Sequence, residues 1–203
     1  MKRIPVALSV AAAIITVAMP VEARVRNQPA APDFVVDDGP SLSNFFANFG
    51  NGSGGSGPIP RQIVGFQSNY APGTIVVNTA ERRLYLVQPG GRALRYGIGV
   101  GRDGFRWGGV HKITAKKEWP SWTPPAQMLA RRPDLPRHMA GGIENPLGAR
   151  AMYLGSTLYR IHGSNEPETI GQAVSSGCFR MTNEDVTDLY NRVEVGATVI
   201  VKN

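Results

Sequence analysis

The 203-residue chain has a single cysteine, three histidines and an aromatic content of only 8%. One cysteine excludes an intrachain disulfide framework. No CxxC pair, HxH or HExxH spacing is present, so no metal site is expected. The chain also lacks heptads and any repeat of roughly 20–50 residues, which argues against a coiled coil or a solenoid. Basic residues outnumber acidic ones, 22 to 15. Apart from the pairs Arg82-Arg83 and Arg131-Arg132 they are scattered, with no basic block interleaved with aromatics. Nucleic acid is therefore not an expected partner. What the chain has in abundance is glycine (24) and proline (16). That composition favours turns and short strands over long helices.

The N-terminus reads as an export signal. Lys2 and Arg3 precede an apolar run from Ile4 to Ala18, and Val21-Glu22-Ala23 is a small-x-small cleavage site. The run is short for a membrane anchor, which needs about 20 residues. Cleavage after Ala23 is expected, leaving no transmembrane anchor and placing the chain in the periplasm. No cysteine follows the run, so a lipoprotein is not expected. Removing residues 1–23 takes away Lys2, Arg3 and Glu22, and the remainder carries a net charge of +6. A basic exported protein suits an anionic envelope partner. Residues 24–57 read as a Gly/Ser/Pro-rich spacer ending in Gly50-Asn-Gly-Ser-Gly-Gly-Ser-Gly57. Within it, Leu42 to Phe49 could form a short amphipathic turn.

Residues 58–203 read as one folded domain. The segments 74–78, 83–87 and 93–100 are strands separated by turns, which predicts an antiparallel meander. The run Gly97-x-Gly99-x-Gly101 lacks phosphate-loop spacing, and no helix follows it. Residues 117–148 lack periodicity and contain Trp119-Pro120-Ser121-Trp122-Thr123-Pro124-Pro125. A loop of this length reads as a lid or substrate wall; the alternative is a surface loop whose tryptophans plug the core. Segments 151–155 and 158–161 are strands. Thr182 is a helix N-cap with Asp185 at N3. Val186, Leu189, Tyr190 and Val193 then share one helical face. Val195-Gly196 ends the helix, and residues 197–201 form a closing strand.

Cys178 sits in Ser175-Ser176-Gly177-Cys178-Phe179-Arg180-Met181, just ahead of that helix. Gly177 permits sharp backbone geometry. Free N–H groups there could hold an oxyanion. The helix terminus and Arg180 should lower the thiol pKa. Composition alone leaves Cys178 open between this reading and a small buried apolar residue. His162 tips the balance: it lies at a strand end sixteen residues earlier, where an imidazole could take the thiol proton. His111 and His138 read as structural or solvated.

His162-Gly163 followed by Ser176-Gly177-Cys178-Phe179-Arg180-Met181 resembles the signature of L,D-transpeptidases with the YkuD-type catalytic domain. Pro72-Gly73-Thr74-Ile75-Val76-Val77, the Trp119–Pro125 loop and Asn145-Pro146-Leu147-Gly148-Ala149-Arg150 are similar as well, so the resemblance covers roughly residues 70–202. Many members have His where this chain has Ser176, so any auxiliary role of that histidine is absent.

The resemblance implies a mainly β, β-sandwich-like catalytic domain with a short helix after the catalytic cysteine and a long lid loop. It implies cysteine acyl transfer on peptidoglycan stem peptides, without a cofactor. Cys178 would be the nucleophile and His162 the general base and acid. The Gly163 carbonyl would orient His162, and the N–H groups of Gly177 and Cys178 would hold the oxyanion. Arg180, Ser175, Ser176, Tyr153 and Trp122 would contact substrate. The acceptor amine could belong to a second stem, giving 3-3 cross-links, or to an envelope protein. Two alternatives remain: an L,D-carboxypeptidase that hydrolyses the same acyl-enzyme, and a catalytically silent cell-wall binding module.

Overall fold

The computed structural model describes Gly55 and residues 57–203. The expected leader, the Leu42–Phe49 turn and nearly all of the spacer lie outside the described residues.

The chain runs β1 (Gln62–Gly65), β2 (Ile75–Asn78), β3 (Arg83–Gln88), β4 (Arg92–Gly97), β5 (Val100–Gly101), β6 (Gly109–Glu118), α1 (Ala126–Arg131), β7 (Arg150–Leu154), β8 (Arg160–His162), a 3-10 turn (Pro167–Thr169), β9 (Ala173–Ser175), β10 (Phe179–Arg180), α2 (Asn183–Arg192) and β11 (Thr198–Lys202). The fold is mainly β. Strands β2, β3 and β4 form the expected antiparallel meander, with Ile75 opposite Leu86 and Leu84 opposite Tyr96. The β3–β4 turn passes through Gly90 and Gly91 at φ +74° and +67°. Glycine adopts this left-handed backbone without a Cβ clash.

The meander is only part of the sheet, whose order is β1-β4-β3-β2-β11-β6-β7-β8-β10. The closing strand lies at its centre: β11 is parallel to β2 on one side and antiparallel to β6 on the other. Not all pairing is antiparallel, because β8–β10 and the separate pair β5–β9 are also parallel. Strand β6 joins the two halves. Its first residues pair with β11 and its last with β7, with an irregularity between Ile113 and Ala115. Such an irregularity bends a strand and lets it pass from one sheet layer to the next.

Alternation along these strands builds the core. Ile75, Val77, Leu84, Leu86, Leu94 and Tyr96 face Met152, Leu154, Ile161 and Phe179 in one buried cluster. Helix α2 closes that cluster with Val186 and Leu189, both fully buried. Its start is fixed by Thr182, whose hydroxyl accepts a hydrogen bond from Asp185 N–H at 3.1 Å. The helix ends at Arg192, earlier than the sequence suggested, and Gly196 instead makes the turn into β11.

The segment between β6 and β7 is irregular except for α1, which the sequence reading missed. Trp122 and Met139 exchange two backbone hydrogen bonds of 2.8 Å, pinching the loop into a lobe. The buried Asn145 amide ties that lobe together: it donates to the carbonyls of Pro120 (3.1 Å) and Ala140 (2.9 Å). Its Oδ1 accepts from Leu147 N–H at 2.9 Å. Neither loop tryptophan plugs the core, since Trp119 is exposed and Trp122 half-buried.

Candidate active site

Strands β8 and β10 lie side by side in parallel, pairing Phe179 with Ile161 and Arg180 with His162. Phe179 and Ile161 point into the core. Side chains alternate along a strand, so Arg160 and His162 on β8, and Arg180 on β10 with Cys178 immediately before it, fall on the opposite face. All four line one cavity of about 930 Å³. The lobe forms the facing wall, contributing Trp122, Met128, Leu135 and Met139.

The turn carrying Cys178 is held by three hydrogen bonds from two side chains. Ser175 Oγ donates to the Cys178 carbonyl at 2.6 Å. The same oxygen accepts the Gly177 N–H at 3.1 Å. The Trp107 indole N–H donates to the Gly177 carbonyl at 2.6 Å. Gly177 has φ +109°, and a Cβ there would collide with the ring of Tyr159. Gly177 is thus required by both backbone and space.

His162 is almost fully buried, with Nδ1 2.6 Å from the Gly163 carbonyl oxygen. That carbonyl can only accept, so Nδ1 carries the proton and Nε2 presents a lone pair. Burial pushes the His162 pKa down to about 3; the hydrogen bond to Gly163 opposes this, and the charges of Arg180 and Arg160 add to it. Burial also raises the Cys178 thiol pKa, against the opposing pull of Arg160 and Arg180. This corrects the expectation that the thiol is lowered outright: the arginines pull that way, but desolvation outweighs them. At neutral pH the site holds a neutral imidazole and a neutral thiol.

Other expected residues fall differently. Gly177 N–H is taken by Ser175, so this donor points into the turn and not at an oxyanion. Ser175 lines the cavity, but its hydroxyl is committed to shaping the turn. Ser176 and Trp122 line the cavity. Arg180 lines it too and is ion-paired with Glu166 at 2.7 Å. Tyr153 is not on the cavity wall; its ring lies 5.2 Å from the guanidinium of Arg160, its partner across β7 and β8. Tyr159 is the tyrosine that lines the cavity. His111 packs its ring edge on Trp107, and the His138 ring lies 3.2 Å from Thr123 Oγ1 on the lobe. Neither joins the site.

Sequence reasoning missed Arg160 and Trp107. Arg160 was within reach of it, because a strand residue two before His162 shares its face. Trp107 carried no such signal: it lies seventy residues from the carbonyl it binds.

The fold and the site together define a β-sheet domain with a cysteine–histidine centre beneath a loop-built wall. The chain belongs to the YkuD family of L,D-transpeptidase catalytic domains, whose profile matches residues 72–201. It is 36% identical over 189 residues to the probable L,D-transpeptidase ErfK/SrfK of Escherichia coli, covering 86% of this chain and 59% of that protein. It is 42% identical over 154 residues to the probable L,D-transpeptidase YbiS of the same organism, covering 70% of this chain and 47% of that one. The chain thus spans about half the length of these curated relatives. The fold is shared with the catalytic domain of the Enterococcus faecium L,D-transpeptidase, solved acylated by ertapenem. That match has a TM-score of 0.51 and 20% identity, and covers 66% of this chain and all of that one.

Proposed function

We propose that this chain is a peptidoglycan L,D-transpeptidase, acting on a tetrapeptide stem as donor. The observation that carries the reading is the shared face of β8 and β10. It sets His162, on β8, and Cys178, immediately before β10, on one cavity, with the Gly163 carbonyl fixing the imidazole tautomer.

Starting from the neutral pair, His162 Nε2 takes the Cys178 proton as sulfur attacks the carbonyl of the third stem residue. The tetrahedral oxyanion collapses and the amide C–N bond breaks. The D-alanine amine leaves with the proton from His162. The thioester is then attacked by an acceptor amine, whose proton passes to His162 and back to Cys178 sulfur. The positive charge of Arg160 and Arg180 stabilises the transient thiolate and favours a substrate with carboxylates. The acceptor is a second stem or an envelope protein.

Residues 1–23 serve in this reading as a leader cleaved after Ala23, residues 24–57 as a periplasmic spacer and residues 58–203 as the catalytic domain. Among the described residues no helix is long and apolar enough to cross a membrane.

The test is mass spectrometry of products from purified protein and defined tetrapeptide muropeptides, with Cys178→Ala in parallel. A cross-linked dimer lacking one D-alanine, absent with the variant, supports transfer between stems. Tripeptide alone would mean hydrolysis or a missing protein acceptor. No Cys178-dependent change would favour the binding-module alternative.

A further inference from the structure

Trp107 is not on the cavity wall, yet it is built into the cysteine turn. Its ring stacks on Tyr159 at 4.3 Å and 9° between planes, and on Phe179 at 5.2 Å. His111 meets it edge-on at 5.0 Å. The indole is thus held on several sides, and its one polar atom donates to the Gly177 carbonyl at 2.6 Å. The same Tyr159 ring occupies the space a Gly177 side chain would need.

In a planar trans peptide the carbonyl and the following N–H point in opposite directions. Fixing the Gly177 carbonyl therefore fixes the direction of the Cys178 N–H. The neighbouring donor, Gly177 N–H, is already bound to Ser175 Oγ. The Cys178 N–H has no acceptor among the described residues. It is thus left free for a substrate oxygen, on the residue that carries the sulfur.

We propose that Trp107 is a positioning residue that sets the oxyanion donor, holding the Gly177–Cys178 peptide so that the Cys178 N–H meets the carbonyl oxygen of whatever acylates the sulfur. This rests on the reading of Cys178 as an acyl-transfer nucleophile. Trp107 lies off the cavity wall and acts through one peptide plane. Oxyanion donors contribute mainly to acyl transfer, because only there does negative charge build on an oxygen. Displacement of iodide from iodoacetamide by the same sulfur builds none.

The experiment compares those two reactions in the full chain. Trp107→Phe keeps an aromatic ring in the stack and removes the N–H. A second variant carries a site-specific benzothiophene isostere of the Trp107 indole, with the same ring shape and no N–H. Both are followed by intact mass, with a carbapenem as the acylating probe and iodoacetamide as the alkylating probe. The expected result is a fall in acylation rate of about tenfold or more, with alkylation changed by less than about twofold. The thioester carbonyl stretch of the acyl-enzyme should also move to higher frequency as the oxyanion site loosens. Equal loss of both reactions would overturn the proposal, since Trp107 would then only keep the turn folded. Unchanged acylation would overturn it as well. A wild-type protein that alkylates but never acylates would remove the nucleophile reading itself, and the proposal with it.

Discussion

At His162 two requirements oppose each other. The imidazole must be buried to sit on the cavity floor, and burial makes its charged form unfavourable. The folded protein therefore keeps His162 neutral down to about pH 3, whereas an unfolded histidine binds its proton near pH 6.5. Between these values the unfolded chain holds more protons than the folded one, so stability rises with pH through this window and is lost as pH falls. A single group of this kind gives a slope of up to about 1.4 kcal/mol per pH unit. Denaturant unfolding measured from pH 6.5 to 4 should show that slope reduced by about this amount in His162→Gln. Parallel curves for the two proteins would mean that another group dominates acid sensitivity. The fold sets Cys178 and His162 on one cavity, and that both belong to short recognisable stretches was legible in the sequence. The balance of charge around them was not, because desolvation depends on packing from distant strands.

Helix α2 was legible for local reasons: a capping threonine and an apolar face repeating every three to four residues. Thr182→Ala should cost about 1 kcal/mol of global stability through the lost cap, read from the denaturant midpoint at unchanged slope. A cost near zero would show that tertiary packing alone sets the start of the helix. The short elements β1, β9, β10 and α1 were not legible, because two to six residues carry too little periodicity to be told from loop. The lobe between β6 and β7 was read correctly as irregular, but its internal order was invisible. That order depends on Asn145, which satisfies carbonyls on both arms of the loop at once. Asn145→Ala would leave the buried Pro120 carbonyl unpaired, at about 1–3 kcal/mol where water cannot replace the partner, and release the more exposed Ala140 carbonyl. Amide exchange in residues 119–148 should accelerate by about tenfold or more, which corresponds to about 1.4 kcal/mol. Exchange in β2, β3 and β4 should stay unchanged. If exchange in the meander accelerated equally, the lobe and the core would unfold as one unit.

For the molecule as a whole, the position of β11 matters most. Its five residues read in the sequence as a closing strand, which suggests an appendage at the end of a meander. In the fold it is the seam of the sheet. It pairs along one edge with β2 of the meander, and along the other with β6, which leads on to β7 and the cavity-bearing strands. Val199 and Val201 are buried in the common core. Its contact with β2 joins residues 124 apart in the chain, as in Val199 opposite Ile75, and no local pattern encodes it; it follows from which edge remains open once the other strands have paired. By contrast β1 sits at the sheet margin, pairing only with β4. Loss of an edge strand leaves the remaining pairs intact, whereas loss of the seam exposes unpaired backbone on β2 and β6 and opens the core. Ending the chain at Ala197 should therefore abolish cooperative unfolding. Shortening β11 by only Lys202 and Asn203 should lower the transition midpoint while preserving its cooperativity. Calorimetry distinguishes the cases. A sharp heat-absorption peak in the chain ending at Ala197 would show that the meander and the cavity half hold together through α2 and the core without their shared strand.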